Sequence, residues 1–276
     1  MARRGISTAA KLLLLHRRGG GGAAFVPTDI SGLALWLDAS DSTTLFQDSA
    51  GTTPATANDD VIGRWADKSG NGNHATQETT ANKPLLKTAV QNGLNTVRGD
   101  GTDDSLSFTG SGLALFQNVA YAYTFIVVDA NSTSGQKVAF AFGYHITNGA
   151  RYYIEDGLSA NKWDWRGRRL DGDSATVAYS GTNHGGVPVL LTAAVAFASG
   201  SAVLRQNGTQ VGTATPSTGS TSNTASFAAR LFAADNGAFF SPADIAEVLV
   251  YTPSSAMSAD DITAVEAYLN AKWAVY

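Results

Sequence analysis

The chain has 276 residues, 43% of them hydrophobic and 15% charged, with a formal net charge of −4 and no cysteine. That length and apolar content support a sizeable core. The absence of cysteine excludes a disulfide framework and a thiolate metal site, and the net negative charge argues against a molecule built as a whole for nucleic acid. Sparse charge with abundant Gly, Ala, Ser and Thr favours strands and tight turns over long helices.

The charge is unevenly placed. The opening stretch MARRGISTAAKLLLLHRRGGGG holds five of the 19 basic residues and none of the 23 acids, so a +5 arm precedes a −9 body. Leu12 to Leu15 is shorter than the apolar core of roughly 7–15 residues that a signal peptide needs, and His16-Arg17-Arg18 follows at once. No stretch supplies the roughly 20 apolar residues of a membrane-spanning helix, so no membrane partner is expected. Ser7 to Arg18 suits a short helix, which alone in water would be marginal. Gly19 to Gly22 suits a flexible hinge. Two readings stand for residues 1–27. One is a disordered leader. The other is an anchoring arm in which Arg3, Arg4, Lys11, Leu12, Leu15, Arg17 and Arg18 dock on another protein. Five cations next to an acidic body make nucleic acid the weaker partner.

The body follows from residue 28. Pro27 and Asp29 mark a turn, and Leu33 to Leu37 is an apolar run of strand length. Residues 41–60 read as a loop. In WADKSGNGNHATQ, Ser69-Gly70 and Asn71-Gly72 are tight-turn pairs. SLSF, AYTFIVVDA, KVAFAFGY, ARYYIED and VPVLLTAAVAF read as strands. AVLRQNGTQVGTA reads as a hairpin about Asn207-Gly208. Thr213 to Ser226 is low in complexity and reads as an exposed loop. FAARLFAAD and DIAEVLVY complete the strands. In SADDITAVEAYLNAKW, Ser258 is a helix N-cap with Asp261 in the capping-box position, and Ile262, Val265, Leu269 and Trp273 form one apolar stripe. The pattern predicts an all-β, two-layer antiparallel sandwich over 28–252, closed by a helix over 258–273.

LALWLDASD, WADKSGNGNHATQ, VRGDGTDDSLSF, LRQNGTQVGT and DIAEVLVYTPSSAMSADDITAVEAYLNAKW, in this order, resemble the concanavalin A-like or laminin-G-like jelly rolls. The resemblance covers roughly residues 28–276 and implies a jelly-roll sandwich. Domains of this kind bind glycans or proteins, decorate virus particles or form parts of larger enzymes. One fold hosts many functions, so the site must decide.

Three candidate sites follow. Glycosidases of this fold would place closely spaced carboxylates along one strand. No such set occurs, and Glu155-Asp156 is adjacent, so its side chains should point to opposite faces. Glu247, a lone acid in an apolar strand, reads as a buried structural group. No enzymatic activity is expected. Asp100, Asp103 and Asp104, with Asp67, offer hard oxygen atoms for calcium, which related jelly rolls hold at such a rim. The competing reading is that these residues shape turns, and no other cofactor is indicated. NKWDWRGRRLDGD groups Trp163, Trp165, Arg166, Arg168 and Arg169. Alternating tryptophans share one strand face, and arginine forks suit carboxylated sugars, so this is a glycan-binding or oligomer-interface candidate beside a plain structural role. Arg98-Gly99-Asp100 spells an adhesion tripeptide too short to carry weight.

The expected function is that of a non-enzymatic structural protein of a phage or virus-like particle: a capsid decoration, head fibre or tail component. The arm would bind other virion proteins, the chain would be a homo-oligomer such as a trimer, and host glycans would be a secondary partner. The alternative is a glycan-binding lectin module of a bacterial surface or secreted protein, which would require an export signal.

Overall fold

The structure, a computed structural model, describes residues 24–108, 114–131, 135–143, 152–156, 162–170, 172–180, 186–222, 228–234 and 237–276. The arm residues Arg3, Arg4, Lys11, Leu12, Leu15, Arg17 and Arg18 lie outside the described residues, as do His16, His145 and His184.

Two antiparallel sheets face each other. The first runs, in spatial order, β15 (Thr209–Ala214), β14 (Ser201–Gln206), β13 (Val189–Ala196), β8 (Tyr121–Ala130), β17 (Ala243–Tyr251), β6 (Leu94–Arg98) and β5 (Leu85–Gln91), with β1 (Leu33–Asp38) also on β17. The second runs β12 (Thr176–Tyr179), β11 (Trp163–Gly167), β10 (Tyr152–Asp156), β9 (Lys137–Gly143), β16 (Ala228–Leu231), β7 (Leu106–Phe108), β4 (Ala75–Thr76), β3 (Arg64–Trp65) and β2 (Leu45–Phe46). This is the expected jelly-roll sandwich.

Strand alternation builds the core. On the second sheet Trp165, Ile154, Phe140, Leu231 and Leu106 stand opposite one another from strand to strand, and all are buried between the sheets. Ile126, Val128, Leu191, Val195, Ile245, Val248 and Val250 meet them from the first sheet. The largely apolar runs of β8 and β17 reflect burial on both faces. Their other set, Tyr123, Phe125, Val127, Leu249 and Tyr251, enters a second apolar cluster under the helix α1 (Ala259–Trp273).

The predicted cap and stripe of α1 are present. Ser258 Oγ accepts from the Asp261 amide at 3.0 Å, and Asp261 answers to the Ser258 amide. Val265, Leu269 and Trp273 are fully buried on the sheet. Residues 24–27, assigned to the arm from the sequence, already pack on the body. Phe25 lies 5.9 Å from the Tyr268 ring, and the Pro27 carbonyl accepts from the Tyr251 hydroxyl.

Asn207 and Gly208 take φ of 52° and 74°, the left-handed pair of a two-residue hairpin. The β5–β6 hairpin repeats this at Asn92-Gly93, in a segment that the sequence reading passed over. The exposed loop expected over 213–226 holds at Thr215, Ser217, Thr218 and Ser220 but is corrected at its start and at its inner contacts, and residues 223–226 lie outside the described ones. Thr213 and Ala214 complete β15, Pro216 is buried, and the Thr221 hydroxyl donates to the Phe116 carbonyl while accepting from the Val119 amide.

Candidate functional site

The outer face of the first sheet is occupied. A bulge at Ala246 turns Glu247 out of the sandwich and under α1. There Glu247 accepts from Trp36 Nε1 at 2.8 Å, Tyr268 Oη at 3.0 Å, Lys272 Nζ at 2.7 Å and Trp273 Nε1 at 2.7 Å. Lys272 also binds Asp38 at 2.6 Å, and Asp38 binds Lys68 at 2.8 Å. Burial and the Asp38 charge raise the Glu247 pKa against the pull of Lys272. Burial would raise Asp38 too, but Lys272 and Lys68 hold it below the usual carboxylate range. Beside this network, Arg205 and the Thr192 hydroxyl hold the buried Glu266 of the helix. Glu266, Tyr268, Lys272 and Trp273 thus fasten α1 to the sheet, as the structural reading of Glu247 expects.

The outer face of the second sheet is built differently. Residues facing each other across the ladder share a face. The register therefore lines up Val177, Arg166, Tyr153, Ala141, Arg230, Ser107, Thr76, Arg64 and Phe46, one from each strand. A neighbouring row carries Tyr179, Asp164, Glu155 and Val138. Glu155 is fully buried; it pairs with Arg166 Nε at 2.9 Å and accepts from Gln136 Nε2 at 2.6 Å. Burial, with the Glu155 charge directly opposite, pushes Asp164 up to about 9, so at neutral pH it keeps its proton. Arg166 lies 5.4 Å from the Tyr153 ring. Tyr179, at the sheet edge, is exposed.

The glycan-or-interface candidate at 163–168 is corrected. Trp163 and Trp165 do share a strand face, but it is the inner one. Both are buried in the core, where Trp165 meets Tyr152 edge-on at 5.8 Å, so neither offers a stacking surface. Arg168 is fully buried as well. Arg166 alone reaches the outer face.

Asp100, Asp103 and Asp104 bring carboxylate oxygens within 4.8 Å of one another. The cluster also does turn work. Asp100 Oδ1 accepts from the amides of Thr102, Asp103 and Asp104, and Asp104 Oδ2 accepts from the Asp100 amide at 3.0 Å. Burial and the charges of Asp100 and Asp103 raise Asp104 to about 7. Asp67 stands apart from this cluster and holds the glycine turn to β1 by accepting from the Trp36, Ser69 and Asn73 amides. Arg98-Gly99-Asp100 is not displayed as a tripeptide. Gly99 is buried and Arg98 forks onto Asp244.

Sequence reasoning separated Glu155 from Asp156 correctly but missed Asp164, because that partner lies across a ladder and not along a strand. Arg230 was missed although a signal was present: one arginine inside the apolar run FAARLFAA.

No protein-family model and no curated protein matches the chain. Solved structures do. Trypanosoma rangeli sialidase in complex with sialic acid matches with a TM-score of 0.56 at 12% identity, over 91% of this chain and 34% of that one. The receptor binding domain of botulinum neurotoxin mosaic serotype C/D matches with a TM-score of 0.54 at 10% identity, over 85% and 50%. The binding domain of Paraclostridial Mosquitocidal Protein 1 matches with a TM-score of 0.54 at 10% identity, over 75% and 49%. The chain thus spans about a third of the sialidase and half of each toxin domain, and the likeness is one of fold. Among the described residues no helix is long and apolar enough to cross a membrane.

Proposed function

We propose that this protein is a non-enzymatic display domain that contacts glycans through the outer face of its second sheet. In this reading it is carried on a phage or virus-like particle, as a capsid decoration, head fibre or tail component, by residues 1–22. The observation that carries the glycan reading is the half-buried pair Arg230 and Arg64 with the Ser107 hydroxyl between them, on the sheet face that α1 does not occupy, the exposed Tyr179 lying at the sheet's edge beyond the buried Tyr153 and Ala141. Such a face offers charged forks and an aromatic ring to a polyhydroxylated ligand. The fold is shared with a sialidase solved with sialic acid and with toxin binding domains, which supports the same reading. The carboxylates support a non-catalytic reading. Glu155 and Asp164 are fully buried, Glu155 is held by Arg166 and Gln136, and Glu247 is saturated by four donors.

The anchoring reading rests on charge and chain composition. A +5 arm with a leucine run, joined by glycines to a −9 body, suits an acidic, partly apolar socket on another virion protein. Each leucine contributes roughly 1.5–3 kcal/mol on full burial, against about 1–2 kcal/mol per residue of ordering. The leucines therefore need the basic residues, or several copies acting together as in a trimer, to hold the arm. The test deletes residues 2–18 and measures folding, glycan binding and incorporation into particles. A folded, glycan-binding body that no longer incorporates is expected. Normal incorporation rejects the anchor and leaves the lectin module of a surface or secreted protein; loss of folding places the arm in the core.

A further inference from the structure

We infer that Arg230, with the Ser107 hydroxyl beside it, binds the carboxylate of an acidic sugar. The inference rests on the glycan reading above and adds the class of glycan. Arg230 is half-buried in β16; its Nε is buried without an acceptor, and it has no ion pair among the described residues. A buried donor left unmade costs about 1–3 kcal/mol, so an acceptor from outside the described residues would be favoured here. Its neighbours in the ladder are Ala141, buried with Val138, Tyr153 and Ala234 in a small apolar cluster, and Ser107, whose hydroxyl can donate alongside the guanidinium on the other side.

The surrounding charge selects an anion. The row itself contains Arg64, Arg166 and Arg230 and no acid. In the next row Glu155 is taken by Arg166, and Asp164 is protonated at neutral pH. A locally positive strip thus crosses a body that is otherwise acidic. The planar fork of an arginine matches a carboxylate in two parallel hydrogen bonds. Arg64 repeats the arrangement: its Nη1 donates to the Ala50 carbonyl at 2.9 Å, while its Nε is buried without an acceptor. It lies three strands from Arg230, which at 4.7–4.9 Å per strand is about 14 Å. A chain with a carboxylate on each sugar can meet both arginines, whereas a single acid can meet only one.

The experiment is calorimetric titration of the full chain with tetragalacturonate, maltotetraose and sodium acetate. Tetragalacturonate should bind, and the other two should bind at least about tenfold more weakly. Arg230→Gln should lose at least about tenfold in affinity for tetragalacturonate while folding as well as the parent, since it removes an unpaired donor. Arg230→Lys, which keeps the charge but loses the fork, should recover only part of the affinity and serves if the glutamine variant does not fold. Arg64→Gln should weaken the tetramer and leave a single galacturonate unchanged. Unchanged tetragalacturonate binding by folded Arg230→Gln or Arg230→Lys overturns the site. Equal binding of maltotetraose overturns the acidic class but leaves the glycan reading standing. Acetate as tight as the tetramer reduces the site to a simple anion site and also overturns it. Binding of no carbohydrate at all rejects the glycan reading and the site with it.

Discussion

Each sheet buries carboxyl groups on its outer face, and the two solve the resulting problem in opposite ways. Under α1, Glu247 is surrounded by four donors and shares Lys272 with Asp38, which Lys68 also holds. On the second sheet Glu155 has Arg166 and Gln136, but Asp164 beside it has no ion pair among the described residues and keeps its proton. Charge is compensated by partners in the first case and suppressed by protonation in the second. The difference follows from what lies above each sheet. A helix brings Lys272, Trp273 and Tyr268 to Glu247, while among the described residues the ladder sets Glu155 and Tyr179 opposite Asp164. A compensated carboxylate makes a fixed joint; a suppressed one makes stability depend on pH.

The largest expected effect breaks the joint. Glu247→Ala leaves three neutral donors without their acceptor and Lys272 with Asp38 alone, and urea unfolding should show a loss of about 3–5 kcal/mol. Glu247→Gln, which keeps an acceptor oxygen, should lose less. A loss under about 1 kcal/mol for the alanine variant would mean that the network closes without its centre and that the contrast between the sheets is mistaken.

Asp164 tests the other half. Its pKa rises from 3.8 unfolded to about 9 folded, so over that window the folded chain holds a proton that the unfolded chain has released. The stability it contributes is whole below about pH 4 and drains away as pH climbs to about 9, at no more than about 1.4 kcal/mol per pH unit. Asp164→Asn cannot ionise and should flatten this fall. Melting curves of parent and variant should diverge between pH 5 and 9, with the variant ahead at pH 9; parallel curves would remove the protonated carboxyl.

A smaller effect separates the capping of α1 from its burial. Ser258→Ala removes the N-cap acceptor and should cost about 1 kcal/mol in urea unfolding, well below the loss from Glu247→Ala. Comparable losses would mean that the helix is held by its end and not by its underside. A last effect lies at the rim. Asp104, raised to about 7 by burial and by Asp100 and Asp103, should gain from Asp104→Asn in melting temperature at pH 8 but not at pH 4. A gain at pH 4 of the same size would show a packing effect instead of a charge effect.

Local chemistry made much of the fold legible. Asn207-Gly208, the Ser258 cap and the stripe from Ile262 to Trp273 each act within a few residues, and each formed as read. The unread hairpin at Asn92-Gly93 carried the same signal as its twin and was simply passed over. β2, β3 and β4 are two residues each, too short for any periodicity to show. The site was less legible. The spacing of Trp163 and Trp165 correctly put both rings on one face, but spacing alone cannot say which side of a sheet holds the core.

The sequence by itself determined which residues alternate, where turns occur, how the terminal helix begins and how charge divides between arm and body, because these depend on side-chain type and short-range geometry. Only the tertiary structure decided which face of each strand turns inward, that Asp164 stands opposite Glu155, and that Arg230 falls in line with Arg166 and Arg64. Those placements depend on register between strands far apart in the chain. Register is set by packing the whole sandwich at once, and a slip of one residue would exchange every inner side chain for an outer one.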